Sequence, residues 1–207
     1  DQSNAVFTIS VPSVSVIIPN GGEQLNIGGT QSIGWSVSSN VSSVKLEYST
    51  NGGTSWILIS ASVASSPASF NWTVPNTPTT AGLVRVRDAS DSTFGDVSDG
   101  VFTIRVAPSV SVSSPNGGEV WNIGTSQNIS WSSTSITNVQ IHYSTNNGTS
   151  WTQVIASTPA SGGSFAWTIP NTATSSAKVR VRSTVDSLVA DTSNTFTIQS
   201  APTLSLT

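Results

Sequence analysis

Apolar and polar residues alternate with period two in short blocks along the whole chain, and Gly, Pro or Asn-Gly clusters separate the blocks. Val44-Lys-Leu-Glu-Tyr48 carries apolar side chains at every second position, with Lys45 and Glu47 between them. Leu83-Val-Arg-Val-Arg87 repeats that pattern, and Gln31 to Val37 places Ile33, Trp35 and Val37 on one side. Such alternation marks half-buried strands rather than helices. By this reading strands fall at 13–18, 31–37, 44–48, 56–59, 69–74, 83–87 and 101–106. Asn51-Gly-Gly53 supplies the positive φ of a tight hairpin. Seven short strands with turns every eight to twelve residues predict an all-β sandwich.

Self-comparison then sets the organisation. Pro19-Asn-Gly-Gly-Glu23 recurs at Pro115 to Glu119, Tyr48 to Trp56 at Tyr143 to Trp151, Trp72-Thr-Val-Pro-Asn76 at Trp167 to Asn171, and Val84-Arg-Val-Arg87 at Val179 to Arg182. The period is about 95 residues, the size of a complete small domain. The expected organisation is a module at 11–105 and a second at 106–199. Residues 1–10 match the last strand of a module, and residues 200–207 match the first strand of another. Those ends are expected to be pieces of flanking modules or strands donated to neighbouring copies. Phe7, Ile9, Leu204 and Leu206 are the candidate strand-exchange contacts. The joins hold only three residues before a Pro, which predicts semi-stiff hinges and a rod.

The motif series Pro-Asn-Gly-Gly-Glu, Ile-x-Trp, Tyr-Ser-Thr-Asn-Gly-Gly-Thr-Ser-Trp, Trp-Thr-Val-Pro-Asn, Val-Arg-Val-Arg and Phe-Thr-Ile resembles the Ig- and fibronectin type III-like repeats of large secreted bacterial surface proteins. It is also similar to the N-terminal domain of the Ser/Thr-rich, lipid-anchored fungal family of cell-wall glucan assembly. The resemblance spans both modules and implies two tandem Ig/fibronectin-like β-sandwiches in an extracellular or cell-surface setting. Ser49-x-Asn51-x-Gly53-x-x-Trp56 and its twin at 144–151 further resemble the Asp-box hairpin of sialidases, where that box is a structural turn.

Composition narrows the chemistry. Charged residues are 8% of the chain, against roughly a quarter in ordinary domains, and 41 Ser with 26 Thr take their place. There is no Cys, so disulfides, thiol catalysis and zinc-thiolate sites are excluded. A net charge of −3 with seven scattered bases argues against nucleic acid as a partner. No apolar run reaches the roughly 18 residues of a membrane span. Three Trp pairs, at 35/131, 56/151 and 72/167, are expected in the cores. Leu25 replaces Trp121 in the first copy, which makes Trp121 the candidate for stacking on glycan.

Few residues offer catalysis. His142 aligns with Glu47 and is expected to be exposed on an outward strand face, without the partner a general base needs. Glu23 and Glu119 follow Asn-Gly-Gly and are expected to cap that turn. Asp88, Asp91, Asp96 and Asp99 crowd one loop and are either calcium ligands or a solvated cluster; no other cofactor is expected. Arg85 and Arg87 are expected on an outer sheet face beside Glu47. Asn40, Asn71, Asn128 and Asn147 fit the N-glycosylation sequon. The resulting expectation is a non-enzymatic structural protein, a segment of a microbial surface stalk or filament whose partners are copies of itself or adjacent repeats. The alternative is a polysaccharide-binding accessory module of a secreted hydrolase or an adhesin.

Overall fold

The computed structural model describes residues 11–201. The terminal strand-exchange candidates Phe7, Ile9, Leu204 and Leu206 lie outside the described residues. The chain divides into two compact units between Val106 and Ala107.

In module 1 the strands are β1 (Val14–Ile18), β2 (Gln24–Asn26), β3 (Thr30–Val37), β4 (Ser43–Ser49), β5 (Ile57–Ala64), β6 (Ser69–Thr73), β7 (Thr79–Asp88), β8 (Gly95–Val97) and β9 (Phe102–Arg105). They form a three-stranded sheet ordered β1-β3-β6 and a larger sheet ordered β2-β9-β7-β4-β5, with β8 also paired to β7. Module 2 repeats this plan with β10 (Ser109–Ser114), β11 (Val120–Asn122), β12 (Ser126–Thr134), β13 (Asn138–Ser144), β14 (Thr152–Pro159), β15 (Ser164–Thr168), β16 (Thr174–Ser183), β17 (Ala190–Thr192) and β18 (Phe196–Gln199). Its sheets are β10-β12-β15 and β11-β18-β16-β13-β14, with β17 on β16. Each module is therefore an all-β two-sheet sandwich, as the alternation predicts.

Among the described residues each module has nine strands rather than seven. The extra pair are three-residue elements. β2 runs parallel to β9 with Leu25 opposite Ile104, and β8 runs antiparallel to β7. Neither is long enough to display an alternation of its own. In β2 the flanking Gln24 and Asn26 are exposed while Leu25 reaches the core.

The period-two pattern fixes which side chains meet between the sheets. Ile33 and Trp35 of β3 meet Val44, Leu46 and Tyr48 of β4, Val84 and Val86 of β7, and Phe102 and Ile104 of β9, all buried. Module 2 has its own core built from Ile129, Trp131, Val139, Ile141, Val179, Val181, Phe196 and Ile198. Two of the three repeated Trp positions are core residues, as expected. The third is not: Trp56 and Trp151 are half-buried outside both cores.

Trp121 corrects an expectation. It is only 7% exposed and lies against Phe196 at 4.8 Å and Trp167 at 6.2 Å between ring centroids. Leu25 is buried at the same place in module 1, where Trp72 meets Phe102 directly at 6.3 Å. The larger side chain of module 2 fills space in the core instead of presenting a stacking face. β11 puts Trp121 inward because it pairs with Ile198, itself an inward residue.

Candidate functional site

The polar chemistry of each module concentrates on the outer face of its larger sheet and in the turns at its ends. In module 1, β4 places Lys45 opposite Arg87 and Glu47 opposite Arg85 on neighbouring β7. Like charges directly opposed would repel. Glu47 resolves the conflict by accepting from all three cations. Arg85 donates to Oε2 through Nε at 3.0 Å and Nη2 at 2.8 Å, Arg87 donates through Nη2 at 2.9 Å, and Lys45 Nζ lies 3.0 Å from Oε1. Burial pushes the pKa of Glu47 up, but hydrogen bonds from Lys45 and Arg85 and the charges of Arg85 and Arg87 outweigh it, and the net shift is down. Glu47 points away from the core, as expected, yet it is buried, because the long side chains around it fold over the carboxylate. Arg85 also lies over the Trp56 ring at 4.2 Å, which accounts for the place of this Trp outside the core.

Module 2 keeps the frame of this row and changes its centre. Gln140 stands opposite Arg182, and His142 opposite Arg180. Arg180 lies 4.4 Å over the Trp151 ring, and Arg182 Nη2 donates to Gln140 Oε1 at 3.2 Å. All three ion pairs among the described residues involve Glu47; the module 2 arginines have none. His142 is buried, which corrects the expectation of an exposed ring. Burial, then the charges of Arg182 and Arg180, hold its pKa below the ordinary imidazole value. The expectation for His142 fails because alternation reports the side of a sheet and not what covers it, whereas the arginines do lie beside Glu47 as expected.

The repeated hairpin is a hydrogen-bonded clamp. Ser49 Oγ donates to Asn51 Oδ1 at 2.9 Å and accepts the Gly53 N–H at 2.9 Å; Asn51 Oδ1 accepts the Ser55 N–H at 2.9 Å. Ser144, Asn146, Gly148 and Ser150 repeat the arrangement with distances of 2.8–2.9 Å. Gly53 has φ +86° and Gly148 φ +88°, a conformation that favours glycine. Each glycine also packs near the Trp three residues on. The Asn-Gly-Gly-Glu turns are clamps as well, as expected of Glu23 and Glu119. Glu23 Oε1 accepts the Asn20 N–H at 2.7 Å, and Glu119 Oε1 the Asn116 N–H at 2.6 Å.

The four candidate calcium ligands each have hydrogen-bond partners of their own. Asp88 Oδ1 accepts from the hydroxyl and amide of Ser90, and those bonds hold its carboxyl below the usual range. Asp91 Oδ1 does the same with Thr93. Asp96 Oδ2 accepts the Val16 N–H at 2.9 Å, tying β1 of the small sheet to the large one, and Asp191 repeats that bond to Val112 at 2.8 Å. Asp99 Oδ2 accepts from Asn20 Nδ2 at 2.7 Å. Among the described residues no three His, Cys, Asp or Glu side chains are grouped to hold a metal ion. A shallow concavity of about 190 Å³ borders Gln24, Asn26, Thr30 and Gln31, below the roughly 300 Å³ at which ligand pockets begin. The four sequon asparagines, 40, 71, 128 and 147, are all exposed.

Residues 12–106 match the family described as a bacterial Ig domain. Module 2 repeats the motifs and strand order of the matched residues. Among curated proteins none matches the chain. Among solved structures, fibronectin(III)-like modules of CbhA from Clostridium thermocellum align at 19% identity, covering 90% of this chain and 93% of that one, with a TM-score of 0.36. Chicken CNTN1 FN1-FN3 domains align at 17% identity over 90% of this chain and 62% of that one, with a TM-score of 0.37. The N-terminal four Ig domains of Dscam1 isoform 6.9 align at 10% identity over 95% and 48%, with a TM-score of 0.46. No helix among the described residues is long and apolar enough to cross a membrane.

Proposed function

We propose that this chain is a non-enzymatic structural segment of a microbial surface protein, two Ig-like modules that serve as load-bearing spacers in a stalk or filament. The observation that carries the reading is the repetition of structural devices in both copies. The hairpin clamp, the turn-capping Glu, the Asp bond joining the sheets and the Arg–Trp stack all recur, and each acts on its own module. Bacterial Ig-like domains typically occur in extracellular or surface proteins, and the hydroxyl-rich, weakly charged exterior suits that setting. The resemblance to the fungal glucan-assembly domain supports a wall-associated environment and nothing narrower. With Trp121 in the core, stacking on polysaccharide loses its candidate residue.

Immunogold electron microscopy of the producing cells tests the reading. Label along surface appendages or at the cell envelope is the expected result. Label confined to the cell interior, or a catalytic turnover that maps to these modules, would overturn it.

A further inference from the structure

We propose that the outer face of the larger sheet of module 2 binds a carboxylate, a Glu or Asp side chain presented by another polypeptide, received by Arg180 and Arg182 beside His142. The two modules supply the comparison that identifies the ligand. In module 1 the corresponding arginines converge on the Oε2 atom of Glu47, at 2.8 and 2.9 Å. In module 2 the same strands, register and Arg–Trp stack are present, but an imidazole occupies the position of the acid. Arg180 Nε, Arg182 Nε and His142 Nδ1 are buried without a hydrogen-bond partner. Arg87 Nε is also unpartnered in module 1, so the missing carboxylate, rather than any single nitrogen, distinguishes the two faces.

Among the described residues no acid forms an ion pair with Arg180 or Arg182. His142 is flanked along β13 by Gln140 and Ser144, faces Gln153 on β14, and faces Arg180 on β16 between Lys178 and Arg182. β13, β14 and β16 contain no acidic residue. The acid of β17, Asp191, accepts the backbone N–H groups of Val112 at 2.8 Å and Thr192 at 2.9 Å. A planar guanidinium suits a carboxylate through paired N–H donors. The reach of Glu47 from β4 to the arginines of neighbouring β7 shows that a Glu-sized acid fits such a row, which favours a protein side chain as occupant. Carboxylate binding also lessens the penalty for charging His142, so binding and protonation reinforce each other.

His142 is the sole histidine, so its ring signal in an NMR spectrum of the full chain reads the site without assignment ambiguity. Titration with propionate, and with a short Glu-containing peptide, is compared with chloride at equal ionic strength. The expected result is a rise in the His142 midpoint of about one pH unit with either carboxylate, absent in chloride and abolished by Arg180→Gln/Arg182→Gln. His142→Glu supplies the acid internally, and its Arg Nε–H signals are expected to stop responding to propionate. This second variant keeps the test decisive should the double variant lose its fold. An equal response to chloride, or a response that survives both substitutions, overturns the site. Tighter binding of polygalacturonate than of polyglutamate at equal carboxylate concentration overturns the assignment of a polypeptide as partner.

Discussion

The two modules share strand order, hairpin clamps and inter-sheet bolts, and they differ at the centre of one cross-strand row. Glu47 gathers Lys45, Arg85 and Arg87 around one carboxylate, whereas His142 sits buried opposite Arg180, with Arg182 nearby and no acid in ion-pair contact. The lesson is that a fold of this kind tolerates an electrostatically unfavourable row because its stability comes from the core behind it. A core change, by contrast, needs compensation within the core. Trp121 for Leu25 brings an extra ring into contact with Phe196 and Trp167, and both versions remain buried. Packing to crystal-like density permits either arrangement but no void.

The largest effect expected from breaking this comparison lies in the cores. Trp35→Ala and Trp131→Ala should each cost about 3–5 kcal/mol of their own module's stability, by loss of buried area and creation of a cavity. Denaturant unfolding of each variant checks this, and a loss under 1 kcal/mol would remove these residues from the core account.

Next in size is the row itself. Glu47→Gln strands three cations and should destabilise module 1 by about 1–3 kcal/mol, less than a fully buried pair because Arg85 and Arg87 keep some contact with solvent. His142→Glu should move module 2 the other way by about 0.5–1 kcal/mol, with the gain shrinking in high salt. Equal effects of the two substitutions in sign would dissolve the contrast between the faces.

A smaller difference distinguishes the paired tryptophans. Trp131 Nε1 donates to Ala160 O at 3.0 Å, while Trp35 Nε1 is buried without a partner. Trp131→Phe should therefore cost about 1 kcal/mol more than Trp35→Phe, measured as the difference in denaturation midpoints.

The smallest effect is in pH. His142 has a folded pKa below its ordinary 6.5, so the unfolded chain binds the proton more readily, and module 2 loses stability as pH falls below about 6.5 towards the folded value. Glu47 is depressed below 4.5, so the stability it contributes to module 1 is present above about 4.5 and lost as pH falls through its folded value. Between pH 6.5 and 4.5 acidification should thus weaken module 2 more than module 1. His142→Gln should erase that difference in a pH series of melting curves.

Much of this was legible in the residues, and the parts that were not have physical reasons. Alternation in Val44 to Tyr48 and Leu83 to Arg87 located the central strands, and the 95-residue repeat set the module boundary near 105–106. β2 and β8 escape because a three-residue strand has no period. Trp121 was misread for a related reason. A Trp that aligns with a Leu of the sister copy looks unconstrained until the parallel pairing with β18 turns it inward. His142 is on the expected side of the sheet but buried, since coverage by side chains from other strands leaves no trace in local periodicity. The acids at 88–99 suggested a metal loop by proximity along the chain, whereas each is engaged by a hydroxyl, amide or backbone N–H of its own.

The central claim is that each module is a complete structural unit, stabilised by its own core and its own clamps. Amide-resolved hydrogen exchange on the Trp131→Ala chain tests it most directly. The account predicts that residues 138–183 lose protection while strands β3, β4 and β7 of module 1 keep theirs unchanged. Loss of protection in both halves together would contradict it.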